Sequence, residues 1–555
     1  MLEVSNIRVR LAQLDGRDAT ELSVLKRAVA KKLRVRPADV ARIERRRRSI
    51  DARKKNDIIV TFTLYVELKG GKDAESAVLG KLARAHADKG VKVAEPDEFT
   101  FPGLVLTRPD LRPVVVGAGC AGLFCALSLA RAGLRPLLVE RGDDATRRGQ
   151  IVAAHNQTGV LDAQSNIQFG VGGAGTFSDG KLQTGTKSPA HRLILKTFVE
   201  AGAQRQILWD AKPHVGSDVL PGVVTNILRQ IEEAGGEVRT RCRMTGIDVS
   251  DGRIAGVTLL SQDADGAERE ERVAASDVVL GTGHSARDVF EMLRDRDVSM
   301  ERKTFAMGVR IEHLQANVDR ALYGPGAGNP ALGAAPYKFS EHLPSGRSAF
   351  SFCMCPGGFV VSAASEPGGV VTNGMSYSDR AGANANSGLL ANVFPDDLPG
   401  DDVLAGIELQ RRCERAAFAA GGGDFVAPAQ LVGDFLREQA STAGGAVAPT
   451  YPRGVAWGSV DGCLPPYITQ TLRDAIPRMA YKLHGFDADD AVLTGVETRS
   501  SSPVRVTRSD DGQSVNVRGL WPVGEGAGYA GGIMSAATDG LLAAQKLIDS
   551  LGDRA

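Results

Sequence analysis

Several things are scarce in this 555-residue chain. It has only seven cysteines, an odd number, and no paired C-x-x-C knuckles. That argues against a disulfide framework or a zinc ribbon and for a reducing compartment, and no metal site is expected. Net charge is almost nil: 67 basic residues against 66 acidic ones leave +1, so nothing global draws the chain to nucleic acid or to a membrane surface. No apolar run reaches the length of a membrane span, and the stretch from Met1 to Asp15 has no signal-peptide core. A cytoplasmic protein is expected. There is no fixed-period repeat either, which excludes solenoids and propellers.

What is present is ordinary globular composition, 43% hydrophobic and 24% charged, with 65 glycines gathered in motif-like clusters. The length predicts two to four domains of roughly 100 to 200 residues each. Residues 1–100 stand apart. Alternation at Ile7 to Leu11 and Ile58 to Val66 predicts strands, and a basic strand at Ala41 to Ser49 and a short one at Val91 to Val93 complete the set. Helical spacing covers Ala19 to Leu33 and Ala74 to Ala87. The order strand, helix, strand, strand, helix, strand is that of a ferredoxin-like α+β domain. A proline-flanked linker at 96–113 leads into an α/β region. A nucleotide-binding domain is expected at 108–302, resuming at 481–555, with a strand-rich substrate or cap domain at 303–480 between the two parts.

The chemistry-bearing motif opens that second domain. An apolar strand at Val114 to Val116 runs into Gly117-Ala118-Gly119-Cys120-Ala121-Gly122, a G-x-G-x-x-G at the head of a helix. Its glycines permit a tight turn and let backbone N–H groups and the helix N-terminus approach a pyrophosphate. The next strand ends in Glu140, the ribose-hydroxyl acceptor such a site requires, followed by Arg141. So far NAD and FAD remain alternatives. The tail separates them: Gly524-Glu525-Gly526 and Gly531-Gly532-Ile533-Met534 form a second glycine-rich strand-to-helix turn, which FAD needs for its ribityl and flavin half and NAD does not. A helix N-terminus near Gly532 would favour the negative charge of a reduced flavin.

Between these grips, the loop at 170–182 nearly matches a P-loop, but Leu182 stands where a magnesium-binding Ser or Thr is required, so ATP is rejected. Gly175, Thr176, Ser178 and Lys181 are expected at the flavin instead. The strand ending in Gly281-Thr282-Gly283 returns to the sheet beside the first glycine turn, with His284 read as structural rather than as a base. Gly149 and Met244 complete the expected cofactor set. Cys353-Met354-Cys355 lacks C-x-x-C spacing and a helix start, so both cysteines read as packing. Arg45 to Arg48 is the one local argument for RNA or an acidic partner, although such runs usually decorate a solvated face.

With these residues in view, the sequence resembles a bacterial family of FAD-dependent dehydrogenases in which a ferredoxin-like domain precedes a glutathione-reductase-type flavin fold. The segments that carry the resemblance are 49–55, 117–122, 172–182, 210–216, 283–288, 307–313, 351–358, 373–376 and 524–533. The resemblance implies FAD and an oxidoreductase, with no agreed substrate. A single G-x-G-x-x-G with its acid leaves no second nicotinamide domain, so electrons are expected from a small-molecule substrate, from transient NAD(P)H or from an electron-carrier protein. Arg310, Lys338, Tyr377 and Arg380 are candidates for binding an anionic or carbonyl substrate, and no catalytic residue is assigned. A flavin-dependent RNA-modifying enzyme and a non-catalytic flavin-binding interaction protein are the alternatives.

Overall fold

The computed structural model describes residues 1–95, 99–101, 103, 112–263 and 265–552. Most of the linker expected at 96–113, with the boundary at 108, lies outside the described residues.

The first unit is a four-stranded sheet in the order Val40–Asp51, Ile59–Leu68, Leu2–Arg10, Val91–Val93, every neighbouring pair antiparallel. Strict alternation makes Ile59–Leu68 central: Val60, Phe62, Leu64 and Val66 are fully buried, while the residues between them are not. Helices Asp18–Leu33 and Gly71–Arg84 connect the strands. The first buries Val24, Leu25, Val29 and Leu33 on one face and ends at Arg34 in the left-handed conformation. The arginine run is not a free basic surface. Arg45 is buried against Asp18 at 2.6 Å and Glu21 at 2.7 Å, Arg46 lies over the Tyr65 ring, and Arg48 pairs with Glu21 at 3.2 Å. Of the four, only Arg47 is exposed.

The nucleotide-binding unit is a five-stranded parallel sheet in the order Leu520–Pro522, Val278–Leu280, Val114–Val116, Leu137–Val139, Glu237–Arg239. Its first four strands are three-residue segments buried on both faces, the pattern of a sheet covered by helices on each side. Helices Cys120–Arg131 and Ile533–Gly552 pack on each other, so the two glycine turns, about 400 residues apart in sequence, meet at one sheet.

The strand-rich unit is an eight-stranded sheet centred on Phe305–Leu314, which pairs with Asn384–Val393 on one side and Val492–Glu497 on the other, both antiparallel. The boundary expected at 480 is therefore too early. Val492–Glu497 is fully buried and belongs to this sheet, and the chain rejoins the nucleotide-binding unit only after it. The first unit packs on the strand-rich one: a Cβ at Gly326 would lie 2.9 Å from Ile58 Cδ1 and 3.1 Å from Leu11 Cδ2. It also touches the nucleotide-binding unit, where the Arg48 N–H donates to the Trp209 carbonyl and the Ala211 N–H to the Arg48 carbonyl. Among the described residues no helix is long and apolar enough to cross a membrane.

Candidate cofactor and active site

A cavity runs along the carboxyl ends of the parallel strands, where open α/β sheets bind ligands. At its start the chain turns sharply after Val116. Gly117 has φ +97°, and a Cβ there would lie 2.5 Å from the Gly281 carbonyl oxygen. At Gly122 a Cβ would lie 1.9 Å from the Gly117 carbonyl oxygen, so this glycine lets the helix close on the strand. Gly119 differs: the nearest atom to its would-be Cβ is 4.0 Å away, and the open side faces the cavity. The cradle is a free approach to backbone N–H groups at the start of the helix, as a diphosphate requires.

Glu140 and Arg141 line the same end. The Glu140 carboxylate accepts from the Ala118 N–H at 2.8 Å through Oε2, and from the Gly142 and Gly170 N–H groups at 3.0 and 2.9 Å through Oε1. These bonds fix its rotamer, and Oε2 retains a lone pair for a ribose hydroxyl. Arg141 is held by Asp288 at 2.8 Å and stacks on Phe169. Cys120, Ala121, Met244, Gly281, Thr282 and Gly283 continue the wall, and Gly524, Glu525, Gly532 and Ile533 close it from the tail. Gly175, Ser178 and Lys181 stand at the far end.

Six residues of the expected set lie off the wall. Gly122 and Gly526 pack on backbone, at Gly117 and Gly283 respectively. Thr176 is buried, with its hydroxyl turned to the Val171 carbonyl, and Met534 is in the core. Gly149 lies in the helix Ala145–Thr158, and Gly531 is exposed beside the wall. Conversely, Phe352, Cys353, Asn373 and Arg499 line the cavity without having been expected there, and His284, read as structural, lines it too.

Electrostatics differ along the cavity. Burial pushes the Glu525 carboxyl up to about 7, against the nearby Lys303 charge. His284 Nδ1 lies 3.8 Å from Glu525 Oε1, and burial with Arg499 and Arg287 lowers its pKa to about 4, so it is neutral at pH 7. At the far end Asp179 is fully buried, bound by Arg380 through both guanidinium branches and by Lys181 at 3.1 Å. The loop carrying Lys181 is bridged to His214, and Gly216 gives way to the backbone of Ser378. The resembling segments at 172–182, 210–216 and 373–376 thus converge on one place.

The four candidate substrate-binding residues do not reach this wall. Arg310 is fully buried and consumed by Glu497, Arg380 by Asp179, while Tyr377 and Lys338 are exposed. Cys353 is the cavity-facing residue that spacing alone misjudged as packing. It projects from a bulge in Ser348–Ser362 at φ +42°, a backbone conformation no sequence pattern announces.

These features fit an extended dinucleotide. The glycine cradle is open where a diphosphate would lie, an acid stands at the ribose position, and His284 Nε2 is buried at the wall without a hydrogen-bond partner. Two family models agree. Residues 111–305 match the pyridine nucleotide-disulphide oxidoreductase family, residues 304–500 the family described as FAD-dependent protein, C-terminal domain-like, and residues 1–67 a domain family of unknown function. An uncharacterized protein of Clostridium beijerinckii is 43% identical over 532 residues, 95% of this chain and 96% of its own. Protein FixC of Salmonella typhi is 29% identical over 179 residues, 31% of this chain and 36% of that one. Among solved structures, a glycerol-3-phosphate dehydrogenase from Bacillus halodurans complexed with FAD matches over 80% of this chain and 64% of its own, at 11% identity and a TM-score of 0.34. With a cavity built for an extended dinucleotide and a relative alike over nearly its whole length, the chain belongs to the FAD-dependent oxidoreductases.

Proposed function

We propose that this chain moves an electron pair between bound FAD and an organic substrate that meets the cofactor at the cavity end formed by Lys181, Phe352, Cys353 and Asn373. The observation that carries this reading is the shared wall. The nucleotide-binding unit supplies the glycine turns, and the strand-rich sheet supplies Phe352, Cys353 and Asn373 to the same cavity. In fold terms we read the nucleotide-binding unit as glutathione-reductase-type, supported by its parallel sheet with the glycine turns at the strand ends, and the N-terminal unit as ferredoxin-like, supported by its antiparallel strand order.

FAD, when bound, supplies a two-electron acceptor and donor. The rest is done by residues of the chain. The N–H groups after Gly117 and the start of Cys120–Arg131 hold the diphosphate, and Glu140 accepts a ribose hydroxyl. Lys181 places a cation at the far end, where negative charge favours it. Glu525 keeps a proton on its carboxyl up to about pH 7. Electrons arrive from the substrate itself, from transient NAD(P)H or from a carrier protein. The RNA-modifying alternative loses its footing because Arg45 and Arg48 are tied to Asp18 and Glu21.

The test is to add NADH or NADPH without oxygen while following the visible flavin absorbance. Bleaching assigns a nicotinamide donor; persistent colour assigns the substrate or a carrier. A flavoprotein that no donor reduces would be the non-catalytic interaction protein, and a colourless preparation that takes up no FAD would sink the reading.

A further inference from the structure

Seven cysteines are unpaired in this structure, and burial raises the thiol pKa of five of them. Burial pushes the Cys120 and Cys413 thiols up to about 12 and Cys463 to about 11, and raises Cys242 and Cys125 as well. Cys353 and Cys355 are different in placement. They lie one residue apart on Ser348–Ser362, and on a regular strand their Cα atoms would be about 6.6–6.8 Å apart, at the outer edge of disulfide geometry. The strand is not regular there. The register slips by one residue between Phe352 and Cys355, and Cys353 adopts φ +42°, a conformation unfavourable for a non-glycine residue that persists only where the surroundings enforce it.

The enforcing group is Arg310. Its Nη2 donates to the Cys353 carbonyl at 2.7 Å and lies 3.4 Å from Cys355 Sγ, while the Cys355 thiol donates to the same carbonyl at 3.2 Å. The distortion turns Cys353 into the cavity, beside Lys181 and Asn373, and leaves Cys355 behind it, fully buried. The neighbouring Cys355 sulfur and the charges of Lys181 and Arg310 hold the Cys353 thiol below the usual thiol range, the opposite of those five. Two adjacent sulfurs of unequal acidity, one at the cavity and one behind it, have the layout of an attacking and a resolving thiol.

We propose that Cys353 and Cys355 are a redox pair that cycles between dithiol and disulfide by exchanging an electron pair with the bound flavin. The proposal rests on FAD occupying the cavity. In the oxidative direction one S–S bond forms between the two sulfurs and both thiol protons leave. The electron pair and one proton pass to the oxidised flavin, and the second proton goes to solvent. The reverse step reopens the disulfide.

The decisive experiment uses the air-oxidised holoprotein, titrated anaerobically with dithionite. Aliquots are quenched in acid, blocked with N-ethylmaleimide, digested and weighed. The expected result is uptake of about four electrons per FAD in the wild type, against about two in C353S and in C355S. The peptide containing both cysteines should begin unalkylated and two hydrogens light, and end doubly alkylated. Uptake of about two electrons by yellow wild-type protein, with both thiols alkylated from the start, overturns the redox pair and leaves the FAD assignment standing. Protein that stays colourless in added FAD overturns both, and the absorbance separates the two failures.

Discussion

Arg310 donates to both carboxylate oxygens of Glu497 at 2.9 Å, from adjacent central strands of the strand-rich sheet, and the pair is fully buried. Two glycines make room for it. A Cβ at Gly374 would lie 2.1 Å from Arg310 Nη2, and one at Gly388 would lie 2.7 Å from Glu497 Oε1. Removing one member strands the other charge in the core, so R310M should lower unfolding free energy by about 3–5 kcal/mol in urea titration. G374A, which forces the guanidinium aside, should cost about 1–3 kcal/mol. A loss under about 0.5 kcal/mol in R310M, the range of neutral surface changes, would show that the pair is not holding the sheet.

The two ends of the first glycine turn should separate under mutation. G122A sets a methyl 1.9 Å from a backbone carbonyl that cannot move away, so it should disrupt the turn, seen as poor folding and no bound flavin. At Gly119 the added methyl has open space, so G119A should leave apoprotein melting within a degree or two of wild type while weakening FAD binding at least tenfold. Equal FAD affinity in G119A and wild type, by fluorescence quenching on titration, would show that the cofactor does not approach this glycine.

How much of this was legible in the sequence depends on range. The turn, Glu140 and Glu525 could be read because each is fixed by a strand, a glycine and a helix start within a few residues. The Arg310–Glu497 pair joins residues 187 apart, and its register depends on which strands the whole sheet brings together. Arg499 reaches the cavity only because Val492–Glu497 is a strand of the cap sheet, the assignment that a break at 480 missed. Cys353 was judged by spacing, whereas its exposure comes from a bulge held by Arg310. The arginine run failed in the same way, since its partners Asp18 and Glu21 sit on a helix that the sheet alone brings over it.

Glu525 predicts a pH dependence of cofactor binding. Burial holds its pKa at about 7, and it lines the wall next to Gly524 near the start of the diphosphate-binding helix. Ionising it puts a negative charge into a site meant for an anion, so FAD should bind more tightly at pH 6 than at pH 8, with proton uptake on binding at the higher pH. In E525Q the difference should vanish and affinity should stay near the pH 6 level. Isothermal titration in two buffers of different ionisation enthalpy reads both effects, and a pH dependence unchanged in E525Q would assign it to another group.

Glu414 gives the opposite sign. It lies on Ala405–Ala420 of the strand-rich unit and receives Arg287 of the nucleotide-binding unit at 2.8 and 3.0 Å, Arg499 at 2.8 and 2.9 Å, and the Thr498 hydroxyl at 2.7 Å. Burial works against its charge, yet Arg499 and Arg287 overcome it and hold the carboxyl well below the usual carboxylate range. A carboxylate depressed on folding contributes stability that is fully present above its unfolded value, near 4.5, and is lost as pH falls toward the folded one. Wild-type stability should therefore decline on acidification below about pH 5. E414Q should be less stable at pH 7 by about 3–5 kcal/mol, because two buried guanidinium groups lose their shared counter-ion. The gap should narrow as pH drops below about 5, since Glu414 of the unfolded wild-type chain then takes up a proton while the folded carboxylate keeps its charge. Denaturant titrations of both proteins between pH 7 and pH 3 would reject this account if the two curves ran parallel, because the acid sensitivity would then belong to other carboxylates.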